Sequence, residues 1–232
     1  MMRWLLATLL IFSPALAQAG TWEDCMQNDD LKKKVTACNQ VVEAKKDNSK
    51  DQTTALLHRA YAHRLLKSWD ESLADASEVI RRNPEWGRAY YERGMVLRQR
   101  EEYRAAVRDL DVAARLMADK PFVWLARGRV NHLLGNYWSA AQDLSEAVRL
   151  NPDYALAYDY RAQVRCEQGR AEDAVTDWLT AMTHDRERIA KMKDRLRKRG
   201  FWEGDDSGLL TDAFEEALLS YSSSGCPVAQ GS

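Results

Sequence analysis

The chain has 232 residues and a formal net charge of −1, and 45% of its residues are hydrophobic while 30% are charged. This composition is that of a folded globular protein rather than a disordered chain, and the near-neutral charge excludes bulk nucleic-acid binding. With 11 glycines and 5 prolines the chain is poor in turn formers, which argues against an all-β fold.

Residues 1–19 have the pattern of a removable secretory leader. A basic start at Arg3 precedes an apolar run from Trp4 to Phe12, and small residues at Ala17 and Ala19 stand at cleavage spacing. A membrane anchor is the alternative, but the apolar run is too short to cross a bilayer, and no later stretch is long enough. We therefore predict a signal peptide, an exported protein and no transmembrane segment in the mature chain.

The four cysteines are consistent with export to an oxidising compartment, because an even number of cysteines in an exported chain indicates disulfides. They are Cys25, Cys38, Cys166 and Cys226, and four cysteines allow three pairings. None of them has C-x-x-C spacing, so neither a redox motif nor a zinc site is indicated.

A period of 34 residues organises the middle of the chain. Two sets of charged residues recur at this spacing, namely Arg59, Arg93, Arg127 and Arg161, and Asp75, Asp109, Asp143 and Asp177. Each arginine is followed by alanine or glycine, and a small position and an aromatic position repeat with the same period. Because several independent positions repeat together, the chain resembles the tetratricopeptide repeat (TPR) family.

The resemblance implies an all-α TPR solenoid of four helix–turn–helix units, 53–86, 87–120, 121–154 and 155–188. Small residues such as Gly128 and Ala140 would let the two helices of a unit approach closely. Leu144 and Ala147 recur at helical spacing and belong to a buried stripe. One helix pair cannot bury its apolar face alone, so the units must stack.

The repeated arginines and aspartates allow two interpretations. Sixteen residues separate Arg59 from Asp75, and the same separation holds in each unit. This places one residue on each helix of a hairpin, where the pair would orient packed helices. A ligand-binding arginine ladder is the alternative, and we favour structural pairing.

Residues 20–52 are predicted to form an N-terminal helical cap that ends in a polar linker from Lys45 to Gln52. Cys25 and Cys38 are 13 residues apart, a separation that joins facing places across a TPR hairpin. The resemblance therefore implies a Cys25–Cys38 disulfide that staples a small cap. We favour Cys166–Cys226 as the second pair.

Residues 189–232 carry a second, shorter resemblance. The pattern Leu196, Gly200, Phe201, Trp202, Gly204, Gly208 and the later Ala217-Leu218 resembles a small helical peptidoglycan-binding domain. Ser207, Thr211 and Phe214 depart from that family's pattern. The resemblance implies peptidoglycan binding and favours a bacterial periplasm, whereas a helical cap over the last repeat would need much the same residues. The basic run from Arg186 to Arg199 is interpreted as a solvated helix face.

The sequence contains no motif for catalysis. None of the histidines, His58, His63, His132 and His184, stands at metal-ligand spacing, and there is no phosphate-binding loop or nucleophile elbow. We predict a protein that is not an enzyme and has neither a cofactor nor a metal site.

The concave surface of the first helices is the predicted binding site. Its candidate residues are Tyr61, Arg64, Arg88, Tyr91, Arg98, Phe122, Arg129 and His132. Aromatic residues and arginine are enriched at binding hot spots, although some of these side chains could only pack between repeats. Since arginine grips carboxylates, we predict a protein or peptide partner that is acidic or has a free carboxylate. The chain is thus interpreted as an adaptor, with a cell-wall-binding protein as the alternative.

Overall fold

A computed structural model describes residues 21–44, 49–204 and 210–226 of the chain. These residues form α-helices and no β-strand. The helices are α1 (21–26), α2 (Leu31–Glu43), α3 (Ser49–Leu65), α4 (Trp69–Arg82), α5 (Gly87–Gln99), α6 (Tyr103–Leu116), α7 (Pro121–Leu133), α8 (Tyr137–Leu150), α9 (Ala155–Glu167), α10 (Ala171–His184), α11 (Glu187–Arg197) and α12 (Asp212–Ser223). The predicted leader, residues 1–19, lies outside the described residues.

The 34-residue period of the sequence is also the period of the helices. Helices α5, α7 and α9 begin at Gly87, Pro121 and Ala155, and each is 13 residues long. Neighbouring helices pack in pairs, α3 with α4, α7 with α8 and α9 with α10. The all-helical, helix-pair architecture is therefore confirmed. One difference is that α3 begins at Ser49, inside the segment predicted as a polar linker.

The turns inside the units repeat one backbone conformation. Lys67, Glu101, Gly135 and Gly169 are spaced 34 residues apart, and each has a φ angle between 62° and 74°. This left-handed conformation favours glycine, because other residues place Cβ close to the following carbonyl oxygen. The first two TPR units thus make the same turn with lysine or glutamate, which suit this conformation less well than glycine.

Close helix contact within a unit depends on a residue without a side chain at Gly128. A Cβ atom at this position would lie 2.9 Å from Leu144 Cγ and 3.3 Å from the carbonyl oxygen of Ala140. Both of those residues belong to α8 and are fully buried. The glycine therefore lets α7 and α8 pack at a distance that a larger residue would prevent.

Arginines of the first, third and fourth TPR units bind the repeated aspartate of the same unit. Arg59, Arg127 and Arg161 each make two hydrogen bonds, of 2.6–3.0 Å, to the carboxylates of Asp75, Asp143 and Asp177. The other guanidinium nitrogen of each arginine bonds to the helix before its own, at Asn39, Asp111 and Ser145. Each arginine thus joins three consecutive helices, which is the structural pairing favoured from the sequence.

The described helices divide into two compact units, Met1–Val96 and Leu97–Ser232. In the first unit, the Cys25–Cys38 disulfide joins α1 to α2, with their Cα atoms 4.8 Å apart. Asp30 caps α2 by accepting hydrogen bonds from the backbone N–H groups of Lys32 and Lys33. Helix α2 then packs on α3 and extends the array by one helix.

In the second unit, a helical cap covers the end of α10. Apolar side chains of α11 and α12 pack with those of α10, among them Leu196, Phe214, Leu218 and Trp178. The Cys166–Cys226 disulfide joins the chain after α12 to α9, with a Cα–Cα distance of 5.9 Å. The predicted N-terminal and C-terminal helical caps and both favoured disulfides are therefore present. Gly208 of the tail pattern lies outside the described residues.

Candidate functional site

Half of the candidate binding residues lie in the first unit, where three cations surround one aromatic ring. The guanidinium groups of Arg64 and Arg88 lie 5.4 Å and 5.9 Å from the ring centre of Tyr61, and Lys34 Nζ lies 5.9 Å from it. Arg88 also lies 5.2 Å from the ring of Tyr91. The structure thus brings together Tyr61, Arg64, Arg88 and Tyr91, all four of the residues predicted for this unit.

A buried carboxylate holds the two arginines in place. The Nε atoms of Arg64 and Arg88 each donate a hydrogen bond of 2.6 Å to Glu92, one to each carboxylate oxygen. The side chain of Glu92 is fully buried. Since both of its oxygens accept from arginine, Glu92 orients the two cations.

Lys34 was not among the predicted site residues, yet it is the most buried cation of this cluster. Its Nζ atom donates to the carbonyl oxygen of Gln27 at 2.8 Å and to Asn28 Oδ1 at 3.1 Å, and it lies 3.1 Å from His58 Nδ1. Burial lowers the pKa of Lys34. The sequence indicated that Lys34 faces the core, because it precedes the buried Cys38 by four residues and shares its helix face.

His58 is neutral at pH 7 in this environment. Burial and, to a smaller extent, the nearby charges of Lys34 and Arg88 lower the pKa of His58 to about 4. An ammonium group can only donate hydrogen bonds, so His58 Nδ1 accepts from Lys34 and the ring proton resides on Nε2. The hydrogen bond from Lys34 therefore leaves Nε2 as the atom of His58 that can donate to a ligand.

The candidate residues of the second unit contact the next repeat. The guanidinium of Arg129 on α7 lies 4.4 Å from the ring centre of Tyr160 on α9. His132 Nε2 lies 3.0 Å from Glu167 Oε1, and a hydrogen bond to the same carboxylate raises the pKa of Tyr137. Arg129 and His132 thus join adjacent first helices. Arg98 and Phe122 are half-buried in this unit.

A pocket of about 250 Å³ lies where α9 and α10 meet α11. Its apolar wall is formed by Leu156, Trp178, Met182 and Met192, and its polar lining includes Asp159, Gln163, Arg188, Lys191 and Arg195. Asp159 forms an ion pair with Arg188. Within the described part of the chain, no ion pair engages Arg195.

The basic run that begins at Arg186 is mostly exposed, as expected for a solvated face, and Lys193 is the exception. Lys193 is buried and points between the rings of Trp202 and Phe214, with Nζ 5.2 Å and 5.4 Å from their centres. The period of α11 turns Arg188, Lys191 and Arg195 toward the pocket instead. The reason is that α11 has a core-facing stripe at Ile189, Met192 and Leu196, a pattern obscured by the surrounding charges.

The described residues contain no group of three His, Cys, Asp or Glu side chains that could hold a metal ion. None of the described helices has the length and apolar character needed to cross a bilayer. Two disulfides are typical of proteins that fold outside the reducing cytosol.

The repeat period, the paired helices and the arginine–aspartate contacts define a helical-repeat protein with the TPR fold. Solved structures of MamA, a TPR-repeat protein, share this fold. One of them matches with a TM-score of 0.60 and 18% sequence identity, over 68% of this chain and 90% of the MamA chain. MamA from Desulfovibrio magneticus RS-1 matches with a TM-score of 0.64 and 14% identity, over 75% and 96% of the two chains. Identities this low show the fold alone. No family model matches the sequence, and no curated protein matches it.

Proposed function

We propose that the protein is an exported, non-enzymatic TPR adaptor that binds a protein or peptide partner on the surface formed by its first helices. The observation that carries this proposal is the position of the aromatic and cationic side chains. The pairs Arg88 with Tyr61 and Arg129 with Tyr160 both lie on first helices, where TPR arrays have a concave face. Such side chains are enriched in binding hot spots.

The chemistry of the pocket in the second unit supports an acidic partner. In the second unit, Asp159 neutralises Arg188, while Lys191 and Arg195 remain on the rim of an apolar pocket. Lys191 has a long contact to Glu187, at 3.6 Å. An apolar side chain next to an acidic group would fill the pocket and pair with its rim.

The bonding of the charged groups supports a non-enzymatic role. Glu92 is held between two arginines, and Asp143 and Asp177 are each held by bidentate arginine contacts. General acid–base catalysis needs a group that can exchange a proton with substrate. These carboxylates serve as fixed partners of cations instead.

The two disulfides and the predicted leader support export, and the tail resemblance supports a bacterial periplasm as the destination. In the tail, Leu196, Trp202 and Leu218 are buried in the core of the C-terminal cap. The residues that carry the peptidoglycan-binding resemblance therefore have a packing role, and this supports the adaptor over the cell-wall alternative.

Affinity capture from periplasmic extract, followed by binding measurements with the purified partner, tests the proposal. Replacing Tyr91 or Arg129 with alanine is expected to weaken binding by about 1–2 kcal/mol. Trp138→Ala is the matched control, because Trp138 on α8 is 71% exposed and belongs to a second helix. Retention of the protein on purified peptidoglycan sacculi, with no effect of the Tyr91 and Arg129 variants, would favour the cell-wall alternative instead.

A further inference from the structure

A pocket of about 280 Å³ lies in the first unit beside the N-terminal cap. It is lined by Asn28, Leu57, His58, Tyr61, Arg88 and Glu92. We propose that this pocket binds one carboxylate group of a peptide partner, and that Lys34 positions the groups that receive it. The inference rests on the proposed function, because it specifies the chemistry that one end of the binding surface recognises.

The first step of the argument is the hydrogen bonding of Lys34. Its ammonium group has three N–H bonds and three acceptors, the carbonyl oxygen of Gln27, Asn28 Oδ1 and His58 Nδ1. With its oxygen turned toward Lys34, Asn28 can offer its NH₂ group to a ligand as a donor. His58 likewise keeps its proton on Nε2. Both side chains therefore line the pocket as hydrogen-bond donors.

The second step concerns the acceptors of the pocket. Glu92 is the one carboxylate in its lining, and its two oxygens accept from Arg64 and Arg88 at 2.6 Å. An acceptor that is already bonded to two guanidinium groups does not compete for a ligand's donors. The lining thus favours a ligand group that only accepts hydrogen bonds, which is the property of an ionised carboxylate.

The third step is the balance of charge. Two cations of the cluster, Arg64 and Arg88, bond to the carboxylate of Glu92, and the neighbouring His58 is neutral. Lys34 is fully buried and has only neutral hydrogen-bond partners. Buried charge without a counter-charge is costly, and a bound carboxylate would supply one.

The fourth step is size. A volume of about 280 Å³ is at the small end of ligand pockets, which suits one amino-acid residue. Leu57 supplies an apolar wall, and the ring of Tyr61 lies between the cations. The group recognised is therefore a peptide's C-terminal carboxylate or the side-chain carboxylate of an acidic residue.

Nitrogen-15 NMR titrations of the full exported chain with short synthetic peptides test the proposal. The probes are acetyl-Ala-Ala-Ala with a free carboxylate, the same peptide with a C-terminal amide, acetyl-Ala-Glu-Ala-amide, and inorganic phosphate. We expect at least one carboxylate peptide to shift the His58 ring resonances and to bind at least about tenfold more tightly than the neutral amide. The stronger of the two carboxylate peptides identifies the source. Equal binding of the neutral amide, unperturbed His58 resonances, or binding of phosphate alone would overturn the proposal.

Two variants test the roles of the lining groups. Asn28→Asp replaces the donor amide with a carboxylate that can pair with Lys34, so the fold is retained while the ligand is repelled. We expect at least a tenfold loss of peptide binding. The matched control is Asn39→Asp, which makes the same charge change on α2 beside Arg59, outside the pocket, and should keep the affinity. An equal loss in both variants would contradict the proposal.

The peptide titration and the partner measurement can fail independently. Peptide binding without any effect of first-helix variants on partner capture would refute the adaptor function and leave the pocket as a carboxylate site. Partner capture that depends on Tyr91 and Arg129, without binding of any carboxylate peptide, would refute the carboxylate site alone.

Discussion

Each end of the described chain has a helical cap over a repeat helix, but the two caps bring different charge arrangements. At each end, an added helical cap packs on a repeat helix and is held by a disulfide, Cys25–Cys38 in the first unit and Cys166–Cys226 in the second. The N-terminal cap brings Lys34, a buried cation with neutral partners. The C-terminal cap brings Arg188, which pairs with Asp159.

The difference teaches that the caps do more than cover apolar ends. Each adds basic residues beside the neighbouring first helix, but the buried Lys34 of the N-terminal cap has neutral hydrogen-bond partners among the described residues, whereas Arg188 of the C-terminal cap pairs with Asp159. We therefore expect the N-terminal pocket to recognise the anionic group more selectively, and the C-terminal pocket, with its apolar wall, to accept a side chain.

Removing the disulfides should have the largest effect and should separate the two caps. Cys226→Ser opens a bond that spans 60 residues, and Cys38→Ser opens one that spans 13. Loop-closure entropy predicts losses in the free energy of unfolding of about 4 and about 3 kcal/mol, respectively. Urea denaturation of each variant measures these losses, and non-reducing mass spectrometry should find both pairs. Free thiols at Cys25 and Cys38 in periplasmic material would contradict the first bridge.

A change inside a repeat should destabilise the fold without acting through either cap. Gly128→Leu places a side chain where a Cβ atom alone would lie 2.9 Å from Leu144 Cγ, so α7 and α8 must separate. Overpacking of this kind costs about 1–3 kcal/mol, measured as a lower midpoint of thermal or urea unfolding. An unchanged midpoint would contradict the close helix contact.

Acidification should weaken the N-terminal unit through His58. In the unfolded chain, His58 binds a proton below its ordinary pKa of 6.5. In the folded protein, His58 binds that proton only near its lowered pKa of about 4. The free energy of unfolding should therefore fall as the pH drops from 6.5 to 4, by about 2 kcal/mol after allowance for partial exposure.

The variant His58→Gln measures this contribution. It should flatten the dependence of urea stability on pH, and the remaining slope would include His63, whose pKa is also lowered by burial. Identical pH profiles for the wild-type chain and His58→Gln would show that His58 is not held neutral by its surroundings.

The smallest expected effect is in the turns. Glu101→Gly removes the steric cost of a left-handed conformation at φ 63°. It should raise the free energy of unfolding by about 0.5–1 kcal/mol. This gain is smaller than the full steric cost, because glycine makes the unfolded chain more flexible. The matched control is Gly135→Ala, at the same place in the next repeat, where nothing lies within 4 Å of an added Cβ. It should destabilise by about 1 kcal/mol, and equal signs in thermal melts would contradict the backbone account.

The repeat period made most of the fold predictable from the sequence. Positions such as Arg127, Asp143 and Gly128 recur with the local geometry of one helix pair, so each unit repeats the same contacts. The Cys25–Cys38 bridge followed from the hairpin spacing of the same family. The start of α3 at Ser49 was missed because polar residues at the exposed beginning of a helix resemble a linker.

The candidate site was less predictable because it depends on contacts between elements that do not repeat. Helix spacing within the repeats indicated Tyr61, Arg88 and Tyr91 as candidates, and the structure brings them together. Lys34 and Arg188 lie beside candidate residues but were not predicted, because no period indicates which face of the cap helices is buried. Lys193 was misassigned for the same reason, since its burial depends on aromatic side chains from the loop and helix that follow.

Site-specific photo-crosslinking in intact cells tests the central claim most directly. A benzophenone amino acid at Gln163 on α9 or at Lys191 on α11 would face the pocket of the second unit, whereas one at Trp138 on α8 would occupy an exposed second-helix position. We predict that the first two positions form an adduct with one protein partner and that the Trp138 position does not. Adducts from Trp138 alone, or none from Gln163 and Lys191 while the protein remains bound to the cell wall, would contradict an adaptor that works through its first helices.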